Sequence, residues 1–439
     1  MKYNIIKLPI DTTRNNTMKS RIFIFSIILL GLYSCKKETA PESEAWIKFF
    51  GGCTDVNEGS VKAIDFLYSA SQDKIVSVSI FSEAYRQNSL LTVDYIWLLV
   101  TDREGKLLTD IKYNPDDLDG YPKKILETNR NSLLVILNTK QNVDDYQTND
   151  CKIVEIGFDG VILNIFDFIP SNGFSYYIQD AVFNNAGELI VTGLTTNVNT
   201  NKNGWSPAYQ SIDLTDIYIA KLSENFNVIW ERALGYLYTD MGFTIEKADQ
   251  DYIVTAATDN NSNKSIMKIS ESGGIVKEYN YYFFYYSSIK SNISSTSYLG
   301  NNNVLAVETT VNPLEFFAYD VCLHPLESTT PVSFGPILND GNFQPNYVKK
   351  INEQTALICG KSYSAGAFWT LDYNSGVSVS APITVGIERS NSNFSSLVKF
   401  IQDPQNPNYI FVLGNNEKTT TENTLCSNLM LMRMENPVK

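Results

Sequence analysis

The chain reads as an all-β protein, a seven-bladed β-propeller of four-stranded antiparallel blades. Three observations predict this. Short apolar, β-branched runs recur along the chain, with starts at positions 74, 132, 188, 251, 303, 355 and 408, so that units repeat every 52 to 63 residues. A period of that size with about four strands per unit is that of a propeller blade. The alternation between the runs has period two almost throughout, with no amphipathic helical pattern interrupting it. Composition agrees: hydrophobic residues at 43% suffice for a large core, and aromatics at 12% favour strands. An array of β-sandwiches is the rival architecture.

Residues 1–17 carry Asp11, Thr12, Thr13, Asn15 and Asn16, which suit no export segment, and Met18 is the more natural start. This stretch reads as a gene-model extension. From Met18 the pattern changes. Lys19 and Arg21 are basic, Ile22 to Leu32 is apolar apart from Ser26, and Leu32-Tyr33-Ser34-Cys35 follows. A basic head, a short apolar run and a small residue before the cut are the layout of an export signal. The apolar run falls well short of the ~20 residues that cross a bilayer as a helix. The segment resembles the lipobox of bacterial lipoproteins, with Leu32 at −3, Ser34 at −1 and Cys35 as the lipidated residue; Tyr33 departs from the small polar residue preferred there. The resemblance implies a membrane anchor at Cys35 and a place on the outer membrane, on its periplasmic or cell-surface side. Lys36, Lys37 and Glu38 loosely resemble the charged tags of surface lipoproteins. Residues 1–34 are thus expected to be the export signal, 35–45 the lipidated cysteine and its tether, and 46–439 one propeller domain.

The propeller opens with a lone strand, Trp46–Gly51, ahead of the first full unit. The first unit divides into Val61–Phe66, Lys74–Ile80, Tyr95–Thr101 and Lys106–Tyr113, and the third into Tyr177–Phe183, Glu188–Leu194, Asp216–Leu222 and Val228–Leu234. Glu104-Gly105, Asp159-Gly160, Asn185-Ala186-Gly187 and Ser272-Gly273-Gly274 mark turns, because Asx and Gly supply the positive φ of tight hairpins. The last unit holds three good strands, Ser396–Gln402, Asn408–Gly414 and Asn428–Met434. Its missing outer strand is expected to be Trp46–Gly51, which closes the ring and removes two sheet edges. Those two strands should run antiparallel, which brings Cys53 and Cys426 together as a candidate disulfide.

Trp46-Ile47-Lys48-Phe49-Phe50-Gly51 is matched by Trp230-Glu231-Arg232-Ala233-Leu234-Gly235, each followed by an aspartate (Asp55, Asp240) and a glycine (Gly59, Gly242). This unit resembles the Trp-Lys-Gly-Gly propeller repeats of secreted and lipid-anchored Gram-negative proteins, strongly in two units and faintly in five.

A net charge of −13 argues against a nucleic-acid binder, which would show a basic stripe. A single histidine, His324, leaves little room for histidine metal sites or triads. Cys53, Cys151, Cys322, Cys359 and Cys426 form no CxxC pair, so no metal or cofactor is expected. Asn114-Pro115-Asp116-Asp117-Leu118-Asp119-Gly120 lacks calcium-loop spacing and reads as a solvated turn.

First strands line the channel of a propeller. Aligned, they give one recurrent polar position occupied by Lys62, Lys123, Gln179, Glu246, Lys290, Lys349 and Lys399. The five lysines are the candidate ligand site, and a ring of ammonium groups there would favour an anion such as a sulfated or carboxylated glycan. Tyr281, Tyr282, Tyr285 and Tyr286 are a second candidate, an aromatic surface for sugar faces or protein partners. The function expected is a monomeric, lipid-anchored binding or scaffold module for a glycan or an envelope protein. The alternative is a polysaccharide-acting hydrolase or lyase with carboxylates on one propeller face.

Overall fold

The computed structural model describes residues 45–51, 53–54, 57–84, 92–114, 117–118, 120–139, 151–168, 176–195, 215–235, 240–258, 263–282, 290–311, 317–328, 331–333, 343–362, 365–373, 378–379, 383–385, 394–419 and 425–438. The export signal, Cys35 and its tether lie outside them. The described chain forms seven antiparallel sheets built on a four-strand blade pattern; blade 1 adds the short strand Cys53–Thr54, and the outer strand of blade 6 is split into Ser378–Val379 and Ile383–Val385. The innermost strands, in order, are Asn57–Ser69, Tyr121–Glu127, Tyr176–Phe183, Met241–Ala248, Lys290–Gly300, Phe343–Lys350 and Phe394–Gln402. The second strands are Lys74–Ala84, Leu133–Asn138, Leu189–Thr195, Asp251–Thr258, Asn303–Val311, Thr355–Ser362 and Tyr409–Thr419. All seven predicted apolar runs fall on them. Their central residues are mostly apolar because each is covered on both faces by neighbouring blades, as in Leu133–Asn138, where every residue is buried.

Seven hydrophobic clusters follow the ring, one between each pair of neighbours. Val76, Val78 and Leu98 of blade 1 pack on Leu133 and Val135 of blade 2. At the closing interface Phe411, Leu413 and Leu431 of blade 7 pack on Trp97 and Leu99 of blade 1. The ring closes as the uneven register implied. Trp46–Phe50 is the outer strand of blade 7 and pairs antiparallel with Leu425–Glu435, Trp46 opposite Arg433 and Phe50 opposite Leu429. Asp403, fully buried, braces this junction: it takes Arg103 of blade 1 at 2.7 Å and Arg433 of blade 7 at 2.9 Å.

The two tryptophans of the repeated signature make the same contact. Each sits on an outer strand and covers the turn between the third and outer strands of the next blade. Trp46 Nε1 donates to the Arg103 carbonyl at 3.1 Å, and Trp230 Nε1 to that of Glu271 at 3.2 Å. Under each ring lies a glycine in the left-handed region, Gly105 (φ 76°) and Gly273 (φ 82°). A Cβ on either would stand 2.8 Å from the indole, so only glycine meets both the backbone and the contact. In blade 3 the equivalent turn holds Phe226 at φ 60°, and Phe166 of blade 2 packs on its ring at 4.7 Å.

Candidate functional site

Each inner strand carries a β-bulge at the same place, set by the residue pairs that skip: Ala63/Asp65, Pro122/Lys124, Ile178/Asp180, Gly242/Thr244, Ile293/Ser295, Pro345/Tyr347 and Leu397/Lys399; that of blade 5 has a second shift at Tyr298/Gly300. A bulge adds one residue and re-aims the side chains after it. The extra residues form one level of the channel: Ile64, Lys123, Gln179, Phe243, Ser294, Asn346 and Val398. The next form a second level: Asp65, Lys124, Asp180, Thr244, Ser295, Tyr347 and Lys399. All seven inner strands line one central cavity of about 930 Å³.

This register corrects the alignment drawn from the sequence. Lys62 lies two residues before its bulge, Lys123 on it, Lys399 one after, and Lys349 three after. Lys62, Lys123, Lys349 and Lys399 do line the same channel, but at different depths rather than as one ring. Lys290 lies four residues before the bulge residue Ser294, and only its backbone is described.

The second level explains how the blades hold together. Asp65 Oδ2 accepts the amide of Ile125 in the next blade at 3.2 Å, and Asp180 Oδ2 that of Ile245 at 3.0 Å. Ser295 Oγ plays the same part toward Val348 at 3.2 Å. The lysines of this level neutralise the aspartates: Lys399 meets Asp65 at 2.5 Å and Lys124 meets Asp180 at 2.7 Å. Burial opposes charge on Asp65, yet Lys399 and Lys124 hold its carboxyl below the usual range. Burial likewise opposes charge on Lys124, and Asp180 and Asp65 keep its pKa above the ordinary value. One turn deeper, Lys349 pairs with Glu246, whose other oxygen accepts the Tyr298 amide at 2.6 Å. Glu127, the remaining carboxylate lining the cavity, accepts from the Ser69 and Ser71 hydroxyls.

Two lysines stand apart. Neither Lys62 nor Lys123 meets a carboxylate among the described residues. Lys123 lies half-buried with its ammonium 4.9 Å from the Tyr177 ring centroid. Burial, and then the charge of Lys62 on the adjacent blade, bring its pKa down to about 8. Both lie toward the end of the channel where the inner strands begin. Antiparallel alternation sends the connections between second and third strands, and between one blade and the next, to this same end. The tight turns close the opposite end.

The acidic segment after Tyr113 is a turn in its described part: the amides of Asp117 and Leu118 both donate to the Asn114 carbonyl. Asp116 and Asp119 lie outside the described residues. Ile275–Tyr282 is the outer strand of blade 4. On it Tyr279 is buried opposite Ile266. Tyr281 and Tyr282 are described in backbone only, and Tyr285 and Tyr286 lie outside. Cys53 and Cys426 are likewise described in backbone only. Cys151, Cys322 and Cys359 are buried and form no disulfide among the described residues.

Sequence reasoning missed a second polar cluster, between blades 4 and 5. Lys264 and His324 both bond the Glu308 carboxylate, His324 Nε2 at 2.7 Å from Oε1 and Lys264 at Oε2; all three are buried, with Cys322 beside them. Burial works against the Glu308 charge, but Lys264 and His324 hold its pKa down to about 2. Glu308, Cys322 and His324 bring ligand atoms within 4.8 Å of one another. Both carboxylate oxygens are nevertheless already bonded, and the Lys264 ammonium supplies the countercharge that a metal ion would bring. Glu308, Cys322 and His324 lie on adjacent strands of blade 5 and Lys264 on blade 4, so spacing along the chain does not show that they meet; a glutamate and a lysine inside otherwise apolar strands were the available signal.

No family model matches the chain, and no curated protein matches it significantly. Among solved structures it is similar to a polysaccharide lyase, Uly1, at 8% identity and TM-score 0.48, over 88% of this chain and 91% of that one. It is also similar to the β-propeller domain of the Trilobed protease from Pyrococcus furiosus, at 9% identity and TM-score 0.45, over 86% and 95%. A lignostilbene dioxygenase of Pseudomonas brassicacearum follows at 10% identity and TM-score 0.44, over 89% and 88%.

Proposed function

We propose that the chain is an exported binding module of the bacterial envelope, anchored to the outer membrane through a lipid on Cys35, whose ligand site is the channel end bearing Lys62 and Lys123. Its partner is a glycan or another envelope protein. The observation that carries this reading is the division of labour among the channel charges. Asp65, Glu127, Asp180 and Glu246 are all engaged by lysines, serines or neighbouring backbone amides, whereas Lys62 and Lys123 meet no carboxylate among the described residues. A polysaccharide hydrolase needs an acid and a base or nucleophile about 5–10 Å apart and poised to exchange protons. Carboxylates clamped as inter-blade braces are poorly placed for that. Fold alone decides no function, so the test is direct. The mature protein is passed over immobilised acidic and neutral glycans and over solubilised envelope proteins, alongside a Lys62→Gln/Lys123→Gln variant. Retention that the double variant loses supports the reading. Release of new reducing or unsaturated ends from a polysaccharide would favour the enzyme instead.

A further inference from the structure

We propose that Lys62 and Lys123 together capture one oxyanion group, the sulfate, phosphate or carboxylate of an acidic glycan, and that capture takes up a proton on Lys123. This rests on the channel mouth being the ligand site and names what it recognises. The bulge of blade 2 turns Lys123 into the channel. At the same level the other blades present Ile64, Gln179, Phe243, Ser294, Asn346 and Val398, none of them charged. Two like charges on adjacent blades therefore face an apolar and amide-lined wall, where a field is screened less than in open solvent. An anion seated between them relieves their repulsion, while at the Lys123 level the side chains of Gln179, Ser294 and Asn346 already donate to Met241, to the Val307 carbonyl, and to Ser396 and the Leu397 carbonyl.

The proton follows from electrostatics. The titratable groups that line the cavity with Lys123 are Lys62, Asp65 and Tyr68 from blade 1, Lys124 and Glu127 on its own strand, Asp180 from blade 3, Glu246 from blade 4, Tyr347 and Lys349 from blade 6 and Lys399 from blade 7, with the Tyr177 ring of blade 3 beside its ammonium. Asp65, Asp180 and Glu246 are each paired with a lysine of that set, and Glu127 is held by the Ser69 and Ser71 hydroxyls; Lys62 is the charged neighbour that acts on Lys123. With its pKa near 8, free Lys123 is substantially neutral above that pH. A bound anion raises the pKa again, so a proton enters with the ligand and affinity falls as the pH rises.

Calorimetric titration of the mature protein tests this with three probes: a sulfated oligosaccharide, its unsulfated counterpart, and sodium sulfate. The sulfated sugar should bind, tenfold or more tightly than the unsulfated one, and added salt should weaken it. Affinity should drop several-fold from pH 7 to pH 9, with proton uptake seen as a dependence of the heat on buffer ionisation. Lys62→Gln and Lys123→Gln should each lose tenfold or more. Lys123→Arg should keep binding and lose the pH dependence, and Lys48→Gln on the rim should change nothing. Sulfate ion binding as tightly as the sugar would identify the free oxyanion as the ligand and still support the lysine pair. Sulfated-sugar binding indifferent to both substitutions, or a pH dependence kept by Lys123→Arg, overturns the proposal. Unsulfated glycan or protein binding at this mouth without anion preference overturns it too, while leaving the binding-module reading intact. Failure of every ligand at this face would sink both.

Discussion

Replacing Glu308 with glutamine should unfold the propeller several degrees early, and the size of the effect follows from its surroundings. The carboxylate is 2% exposed and bonded to Lys264 and His324, so the neutral amide leaves the Lys264 ammonium buried without its countercharge. Breaking one side of a buried pair costs ~3–5 kcal/mol. The same figure comes from titration. The pKa of Glu308 falls from an ordinary 4.5 to about 2, and at ~1.4 kcal/mol per unit this is ~3 kcal/mol of stability. At ~2.1 cal/mol/K per residue the ring unfolds with an entropy of ~0.8 kcal/mol/K, so Glu308→Gln should lower Tm by ~4–5 K. Because the folded pKa is depressed, the contribution is complete above pH 4.5 and disappears as the pH falls toward 2. The gap between wild type and variant should therefore be full at pH 7 and close in acid. A Lys264→Met/Glu308→Leu double variant removes both charges and should recover to within ~1 kcal/mol of wild type. Differential scanning fluorimetry and urea unfolding, each at pH 7 and pH 3, measure all three proteins. A Tm loss under ~1 K for Glu308→Gln, or a gap as wide at pH 3 as at pH 7, would refute the account.

Other consequences are as specific. Asp403→Asn should cost ~3 kcal/mol in urea unfolding, because it unpairs Arg103 and Arg433 at the closing junction; a loss below ~1 kcal/mol would show that solvent already balances them. Gly273→Ala should destabilise by ~1–3 kcal/mol through its left-handed backbone and the Trp230 ring above it, and a fluorescence spectrum with Trp230 undisturbed would contradict the contact. Cys35→Ala should move the protein from the membrane to the soluble fraction on cell fractionation, and unchanged retention with residues 18–34 still attached would sink the anchor. Cys53 and Cys426 should yield one bridged peptide on non-reducing digestion, whereas two freely alkylated thiols would rule the bridge out.

The parts of the fold that chain spacing controls were legible. A strand covered on both faces has to be apolar along its length, so the second strand of every blade announced itself, and counting good strands in the last unit located the closing strand. The channel was less legible, because one extra residue in a bulge reverses which neighbours point inward. That slip put Lys62, Lys123, Lys349 and Lys399 into one imagined ring. Asp65 and Asp180 went unnoticed as well, although Ile64-Asp65 and Gln179-Asp180 repeat an aspartate just before a buried residue. The Lys264, Glu308 and His324 cluster was out of reach for another reason: Lys264 joins the other two across a blade interface, and a single sequence carries no pairing information between blades.

The closing strand also sets an order of events. Trp46–Phe50 is made well before its partner, Leu425–Glu435, which follows only after every inner strand of the ring. Six blades can find their neighbours as the chain lengthens, while blade 1 waits with one flank bare. Loop closure over so long a separation costs only slowly more with length, so the ring can form, but late and all at once. A nonsense change ahead of Leu425 would therefore leave the Trp46–Phe50 strand without its partner. A permutant that begins at the inner strand of any blade, with the original ends joined, would complete every sheet from its own contiguous stretch of chain and should close without that delay.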